Sequence, residues 1–123
     1  DISERSWQKE RGGQWVKGKS IAGPCGPYLV TKDEIKDINN INLSLDVNGE
    51  RRQTGNTERM IFSFDFLISH ISQFMTLYPG TIITTGTPAG TAMEMPKPKF
   101  LQNGDKLSLK VDFLGEQNQL IVE

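Results

Sequence analysis

Two short segments near the start of the chain carry residue types that could do chemistry. Residues 1–8 place a carboxylate (Asp1), a guanidinium (Arg5) and an amide (Gln8) within eight positions. Lys19 follows in a Gly-Lys-Ser sequence, where its ammonium group could neutralise a negative charge. Without a preceding glycine-rich loop, that tripeptide is a weak phosphate-binding signal. On pattern alone, residues 1–8 are also typical of a solvated polar segment.

A third candidate segment, Thr85-Gly86-Thr87-Pro88, follows an apolar pair of residues. Such a tetrapeptide is usually only a turn. Gly86 nevertheless permits close approach of the backbone, and neighbouring amides together with the Thr87 hydroxyl could bind a carboxylate. The sequence therefore offers an anion site here as an alternative to a plain turn.

Nucleophilic catalysis and zinc chemistry are not supported. His70 is the single histidine, so no Ser-His-Asp or Cys-His constellation can be assembled around it locally, and an exposed or boundary position is expected. Cys25 lies in a Gly-Pro-Cys-Gly-Pro run with no basic neighbour to lower its pKa, which predicts an inert thiol. No Cys/His zinc spacing is present.

The elements that must position these residues are mostly strands. Alternating apolar residues from Ile41 to Val47 predict a half-buried strand. Asn48-Gly49 is the residue pair that a type I′ hairpin turn requires, so residues 50–54 should form the return strand. Further strands are predicted at residues 28–31, beginning at Ile82, and in two final stretches, 107–111 and 120–122.

One good helix is expected after Ser63, which is placed to cap it, with Asp65 in the positive first turn. Its apolar face is predicted from residues at helical spacing: Phe64, Leu67, Ile68, Ile71, Phe74 and Met75. Pro79-Gly80 ends it. Residues 2–8 are compatible with either a short strand or a helical turn.

Composition narrows the class of protein. The 123 residues are enough for one domain, and 36% hydrophobic with 24% charged residues is ordinary for a soluble globular chain. A net charge of −1 argues against a nucleic-acid-binding or membrane-surface module. The single cysteine fits a reducing cytoplasm. Because the chain begins with Asp1, we expect it to be processed or a piece of a longer protein.

Seven motifs become specific through their order and spacing. They are Asp-x-Ser-x-Arg-x-x-Gln (1–8), Gly-Lys-Ser (18–20), Gly-Pro-x-Leu-Val-Thr (26–31), Val-Asn-Gly-Glu (47–50), Met-Ile-Phe (60–62), Met-Thr-Leu-x-Pro-Gly (75–80) and Thr-Gly-Thr-Pro-x-Gly (85–90). This series resembles the catalytic domain of the fumarylacetoacetate hydrolase family over effectively the whole chain. Residues 12–20 are most similar to the branch of 2,4-diketo-3-deoxy sugar-acid hydrolases and relatives labelled ureidoglycolate lyases.

The resemblance implies a fold that is mostly β with one or two helices, a mixed β-sandwich roll that is incomplete here at its N-terminal side. Residues 1–123 would be the C-terminal portion of the catalytic domain, and the protein would be a homodimer. Family members hold Mg²⁺, Mn²⁺ or Ca²⁺ on an aspartate and a Glu-x-Glu pair. Asp1 corresponds to the aspartate, while the glutamates and a water-activating His-Glu pair lie upstream in the family.

The resemblance also implies roles for the remaining candidates. Lys19 would neutralise developing negative charge and Arg5 would act with it. Gln8 would help to orient the substrate, and Thr87 with Gly86 would bind its carboxylate. The implied reaction is hydrolysis of a C–C bond in a small 2,4-dioxo (acylpyruvate-like) acid. Isomerisation or decarboxylation of a 2-oxo dicarboxylic acid, and a non-catalytic β-rich binding module, stay open.

One departure from the family pattern concerns the segment after Lys19. Only five residues, 21–25, separate Gly-Lys-Ser from Gly-Pro, about two fewer than is usual in the family. The loop is therefore either short or incomplete in this sequence.

Overall fold

A four-stranded antiparallel sheet organises the part of the chain that the computed structural model describes, residues 1–9, 18 and 23–122. The strands are β1 (Asn42–Val47), β2 (Glu50–Asn56), β3 (Lys106–Val111) and β4 (Gly115–Leu120). Their order across the sheet is β2-β1-β3-β4. The two hairpins are thus joined side by side through β1 and β3.

The turn between β1 and β2 is the one that the sequence predicts. Asn48 and Gly49 both have positive φ, 52° and 79°, as a type I′ turn requires. The Asn48 side chain also ties this turn to the start of β3, because its Nδ2 donates to Asp105 Oδ1 (2.8 Å) and its Oδ1 accepts from Lys106 N (2.9 Å). The turn residue therefore fixes the strand register as well as reversing the chain.

One face of the sheet is apolar, as the alternation predicts. The register sets Leu43, Leu45 and Val47 opposite Val111, Leu109 and Leu107. Val47, Leu107 and the preceding Ile41 are buried, whereas Leu43 and Leu45 are only half-buried. The predicted half-buried strand is confirmed over Asn42–Val47, and its apolar face is only partly covered by other described residues.

The described residues form two α-helices, α1 (Arg5–Lys9) and α2 (Phe64–Ser72). Ser63 caps α2 as predicted, since its Oγ accepts from Phe66 N at 3.2 Å. The helix ends at Ser72, before Phe74 and Met75. Its last turn tightens, because the amides of Gln73 and Phe74 donate to carbonyls three residues back, those of His70 and Ile71. Within residues 1–9, 18 and 23–122, no helix has the length and apolar character needed to cross a membrane.

Two predicted strands are wrong and a third is misplaced. Neither residues 28–31 nor residues 82–83 form a strand, and Tyr28 and Ile82 are about 70% exposed, at 70% and 71%. A strand needs a hydrogen-bonding neighbour, and the described residues supply none to either segment. The last strand is residues 115–120 rather than 120–122. Its polar sequence, Glu-Gln-Asn-Gln, hides the pairing with β3.

Candidate functional site

Helix α1 brings two of the predicted site residues together. Arg5 Nη1 donates to Gln8 Oε1 at 2.6 Å, the contact that residues three apart on a helix can make. Gln8 is 4% exposed, so its amide acts from beneath the guanidinium. This hydrogen bond restrains the orientation of the Arg5 guanidinium.

Gly18, the first residue of the Gly-Lys-Ser motif, packs directly against α1. Its carbonyl accepts from Glu4 N at 2.9 Å. A Cβ added at Gly18 would lie 2.2 Å from Gln8 Cγ and 2.9 Å from the Glu4 carbonyl oxygen, so a side chain does not fit. The motif is therefore joined to residues 1–9 at this point. Lys19 itself lies outside the described residues, and its predicted role stays a prediction.

Thr87 is held by a residue that the motif analysis missed. Gln53 Nε2, on β2, donates to Thr87 Oγ1 and to the Pro88 carbonyl, each at 2.8 Å. Gly86 has a φ of +95°, which accounts for glycine at that position. Open space surrounds the place where a Gly86 Cβ would stand.

The threonine loop, defined here as residues 85–94, lies closely against β2. A Cβ at Gly55 would come 2.9 Å from Pro88 Cβ, and a Cβ at Gly90 would come 2.0 Å from the Arg52 carbonyl oxygen. Glu94 closes the loop, because its Oε2 accepts from Gly90 N (2.7 Å) and from the next amide (2.8 Å). These backbone hydrogen bonds lower the pKa of Glu94.

An open concave surface enclosing a volume of about 1440 Å³ is lined by Asp1, Arg5 and Thr87, together with Arg52 and Gln53. Small-ligand sites usually enclose about 300–1,000 Å³, so this surface has more room than a small acid requires. Two further candidates, Gln8 and Gly86, do not line it. The structure thus brings Thr87 onto one surface with Asp1 and Arg5, which lie more than 80 positions before it in the sequence.

The described residues do not assemble a metal centre by themselves. Nowhere in residues 1–9, 18 and 23–122 do three His, Cys, Asp or Glu side chains come close enough to hold an ion. Asp1 supplies one carboxylate at the concavity. Nearby Glu4 accepts from Ser6 Oγ and, at 2.9 Å, from Ser6 N, and these hydrogen bonds lower its pKa. A hard divalent cation needs about six oxygen ligands, so Asp1 could be only one of them.

Gln53 and Arg52 were missed because they sit in a return strand identified only by its turn. No sequence signal could have found Gln53, because a β-bulge between Leu45 and Asp46 shifts the register and pairs Gln53, rather than Arg52, with Leu45 on the apolar face. Arg52 lies beside it with a side chain 12% exposed. Its Nη1 is 2.9 Å from Met95 Sδ, and its buried Nε finds no hydrogen-bond partner among the described residues.

His70 has the exposed position that the sequence predicts, whereas the inertness of the Cys25 thiol stays a prediction. His70 is exposed and does not line the concavity. Its ring stacks on Phe66 with centroids 5.9 Å apart and meets Phe74 edge-on with centroids 5.1 Å apart. Cys25 is an exposed free thiol in an irregular segment. Neither residue is placed to take part in chemistry at the concavity.

Comparison with known sequences gives a consistent family. The model described as fumarylacetoacetate (FAA) hydrolase C-terminal matches residues 1–122. A protein of Burkholderia ambifaria named a putative hydrolase is 51% identical over 122 residues, which are 97% of this chain and 43% of that protein. The chain therefore spans less than half the length of this relative.

Solved structures agree on the fold. A putative HpcE protein from Mycobacterium smegmatis matches with a TM-score of 0.92 and 40% identity over 98% of this chain and 46% of its own. A 5-carboxymethyl-2-hydroxymuconate delta-isomerase from the same organism matches with a TM-score of 0.81 and 33% identity, over 99% of this chain and 45% of its own. Maleylpyruvate hydrolase from Sphingobium sp. SYK-6, in complex with manganese(II) and pyruvate, matches with a TM-score of 0.71 and 33% identity, over 79% of this chain and 34% of its own.

These matches confirm the mostly β fold class with its two helices. With its family model matched over residues 1–122, the chain belongs to the fumarylacetoacetate hydrolase family.

Proposed function

We propose that the full-length protein is a metal-dependent hydrolase that cleaves a C–C bond in a small 2,4-dioxo, acylpyruvate-like acid. The observation that carries this proposal is the concave surface shared by Asp1, Arg5 and Thr87. It combines a potential cation ligand, a fixed guanidinium and a hydroxyl, which are the groups that a 2-oxo carboxylate substrate needs around it.

The described residues supply two groups that would bind the substrate. Arg5, held by Gln8, presents a planar cation that suits a carboxylate or a developing enolate oxygen. Thr87 presents a hydroxyl on the same surface. In the proposed reaction one water is consumed, the bond between C3 and C4 breaks, C4 gains the hydroxyl, and C3 gains a proton. The products are a carboxylic acid and a 2-oxo acid such as pyruvate.

Mg²⁺, with Mn²⁺ or Ca²⁺ as alternatives, is the proposed cofactor, and Asp1 is the described residue that would contribute to holding it. When bound, such an ion supplies Lewis-acid stabilisation of negative charge on the substrate oxygens. Lys19 would add a positive charge, besides that of the ion, near the same substrate oxygens. A manganese(II) and pyruvate complex of a 33% identical structure supports this assignment.

Isomerisation or decarboxylation of a 2-oxo dicarboxylic acid is the second candidate. It is favoured by the similarity to a delta-isomerase at 33% identity over 99% of this chain. A non-catalytic binding module is the third, but it gives no reason for Arg5 and Thr87 to share one surface.

The test supplies the full-length protein with an acylpyruvate and, separately, with a 2-oxo dicarboxylic acid, and proton NMR identifies the products with Mg²⁺ present or removed by a chelator. Hydrolysis yields two acids, isomerisation yields one product of unchanged mass, and decarboxylation releases CO₂. We expect two acids, and only with metal. A single product would replace hydrolysis by the second candidate, and no turnover of either substrate class would leave the binding module.

Asp1 can be tested as a metal ligand by calorimetry with Mg²⁺. Asp1→Asn in the full-length protein should weaken binding at least ~10-fold, because divalent affinity depends on ligand charge and number. Asp33→Asn is the matched control, since Asp33 lies outside the concavity. The isolated fragment should bind only weakly. Unchanged affinity in Asp1→Asn would remove Asp1 from the metal site.

We also propose that the protein is a homodimer in the cytoplasm. The family resemblance supports the dimer, and the lone Cys25 suits a reducing compartment. Light scattering of the full-length protein tests the first point, and a monomeric mass would reject it.

A further inference from the structure

We propose that Gln53 is a positioning residue that fixes the Thr87 hydroxyl as a hydrogen-bond donor toward the substrate carboxylate. The proposal rests on the function proposed above and assigns to it a residue on β2, more than 30 positions before Thr87 in the sequence. Gln53 and Thr87 both line the concave surface.

The orientation of the Gln53 amide follows from chemistry. One terminal atom of this side chain lies 2.8 Å from the Pro88 carbonyl oxygen and 2.8 Å from Thr87 Oγ1. A carbonyl oxygen can only accept, so the atom that faces it must be the NH₂ group. The same group therefore has its second hydrogen available for the Thr87 hydroxyl.

This donor determines what the hydroxyl can do. A threonine hydroxyl has one hydrogen and two lone pairs, and Gln53 occupies one lone pair of Thr87. The nearest acceptor recorded for the Thr87 hydrogen is the Pro88 carbonyl at 3.4 Å, which is long for a hydrogen bond between oxygens. The hydrogen is thus available to a ligand on the concave surface. A carboxylate, which only accepts, is the matching group.

Besides the hydrogen bond from Gln53 to the Pro88 carbonyl, the threonine loop is held in place by contacts that do not involve the Gln53 amide. Pro88 packs on Gly55, Gly90 lies against the Arg52 carbonyl, and Glu94 binds two loop amides. Removing the Gln53 amide should therefore change the orientation of the Thr87 hydroxyl rather than displace the loop. This separates a positioning role from a purely structural one.

The experiment measures pyruvate binding by calorimetry, and kcat and KM with an acylpyruvate, in the full-length protein. Gln53→Met keeps the length of the side chain but removes both donors. It should weaken pyruvate binding and raise KM about 3- to 10-fold, the effect of one neutral hydrogen bond, with kcat changed less than about threefold. Gln53→Glu should weaken binding further, because its carboxylate accepts the Thr87 hydrogen and repels the substrate.

A double-mutant cycle supplies the decisive readout. Thr87→Val should weaken pyruvate binding, and adding Gln53→Met to it should cost nothing more, because the amide acts through that hydroxyl. Thr54→Val is the control, since Thr54 is exposed on the same strand and absent from the concave surface. It should leave binding and turnover as in the wild type.

The outcomes separate this inference from the proposed function. Wild-type protein that neither binds pyruvate nor converts any 2-oxo acid overturns both. Wild-type binding with unchanged affinity in Gln53→Met overturns the role of Gln53 alone. Additive losses in the cycle, or a fall in thermal midpoint with kcat and KM changing together, would assign Gln53 a structural role instead.

Discussion

The packing of the threonine loop on β2 makes Gly90 the most informative single position to change. Gly90 has a φ of +105°, and an added Cβ would lie 2.0 Å from the Arg52 carbonyl oxygen. That oxygen belongs to a strand and cannot rotate away. Gly86 is the matched control, because its φ is +95° but nothing lies within 4 Å of its Cβ position.

The two alanine variants should therefore differ by the steric contact alone. Left-handed backbone costs a non-glycine residue ~1–2 kcal/mol, so Gly86→Ala should lower the free energy of unfolding by about that amount. Gly90→Ala carries the same cost plus overpacking of ~1–3 kcal/mol. Its expected loss is ~2–5 kcal/mol, or a local displacement of the loop that carries Thr87.

Urea denaturation of the full-length protein, followed by circular dichroism and extrapolated to zero denaturant, measures both losses. KM for the acylpyruvate reports any displacement of the loop, and it should rise in Gly90→Ala more than in Gly86→Ala. Equal losses of stability together with equal KM values would refute the close approach of Gly90 to β2. A larger loss in Gly86→Ala would contradict the assignment of open space around that residue.

Three further predictions concern charge, core and pH. Lys19→Met should lower kcat ~10²–10³-fold with a smaller change in KM. The control Lys36→Met changes an exposed residue and should leave the steady-state kinetics unchanged. An unaltered kcat in Lys19→Met would remove Lys19 from the mechanism. Leu107→Ala should lower the free energy of unfolding, measured by urea denaturation, by ~2–5 kcal/mol, because Leu107 is 7% exposed. The control Leu120→Ala changes a side chain that is 56% exposed and should lower it by less than ~1 kcal/mol. Similar losses in the two variants would mean that the buried face of the sheet is wrongly assigned. The Thr91 and Gly90 amides lower the pKa of Glu94 in the folded protein. The Glu94 carboxylate therefore stabilises the fold above its unfolded pKa, and this stabilisation is lost as pH falls through its folded pKa. An NMR titration of Glu94 with a midpoint at or above the ordinary glutamate pKa would contradict this lowering.

Local sequence determined the features that depend on neighbouring residues only. Asn48-Gly49 could be identified as a hairpin turn because both positions need positive φ, and the structure has them at 52° and 79°. Ser63 could be identified as a helix cap because its hydroxyl reaches an amide three residues later. The alternation from Ile41 to Val47 likewise fixed which side chains share a face.

Tertiary structure decided everything that depends on a distant partner. Residues 28–31 and 82–83 have strand-like sequences but find no neighbouring strand among the described residues, while the polar β4 forms because a tight turn sets it against β3. The contact of Gln53 with Thr87 spans 34 positions. No local pattern encodes such a pairing, because hydrogen bonds across a fold depend on where packing sets two backbones rather than on their spacing in sequence.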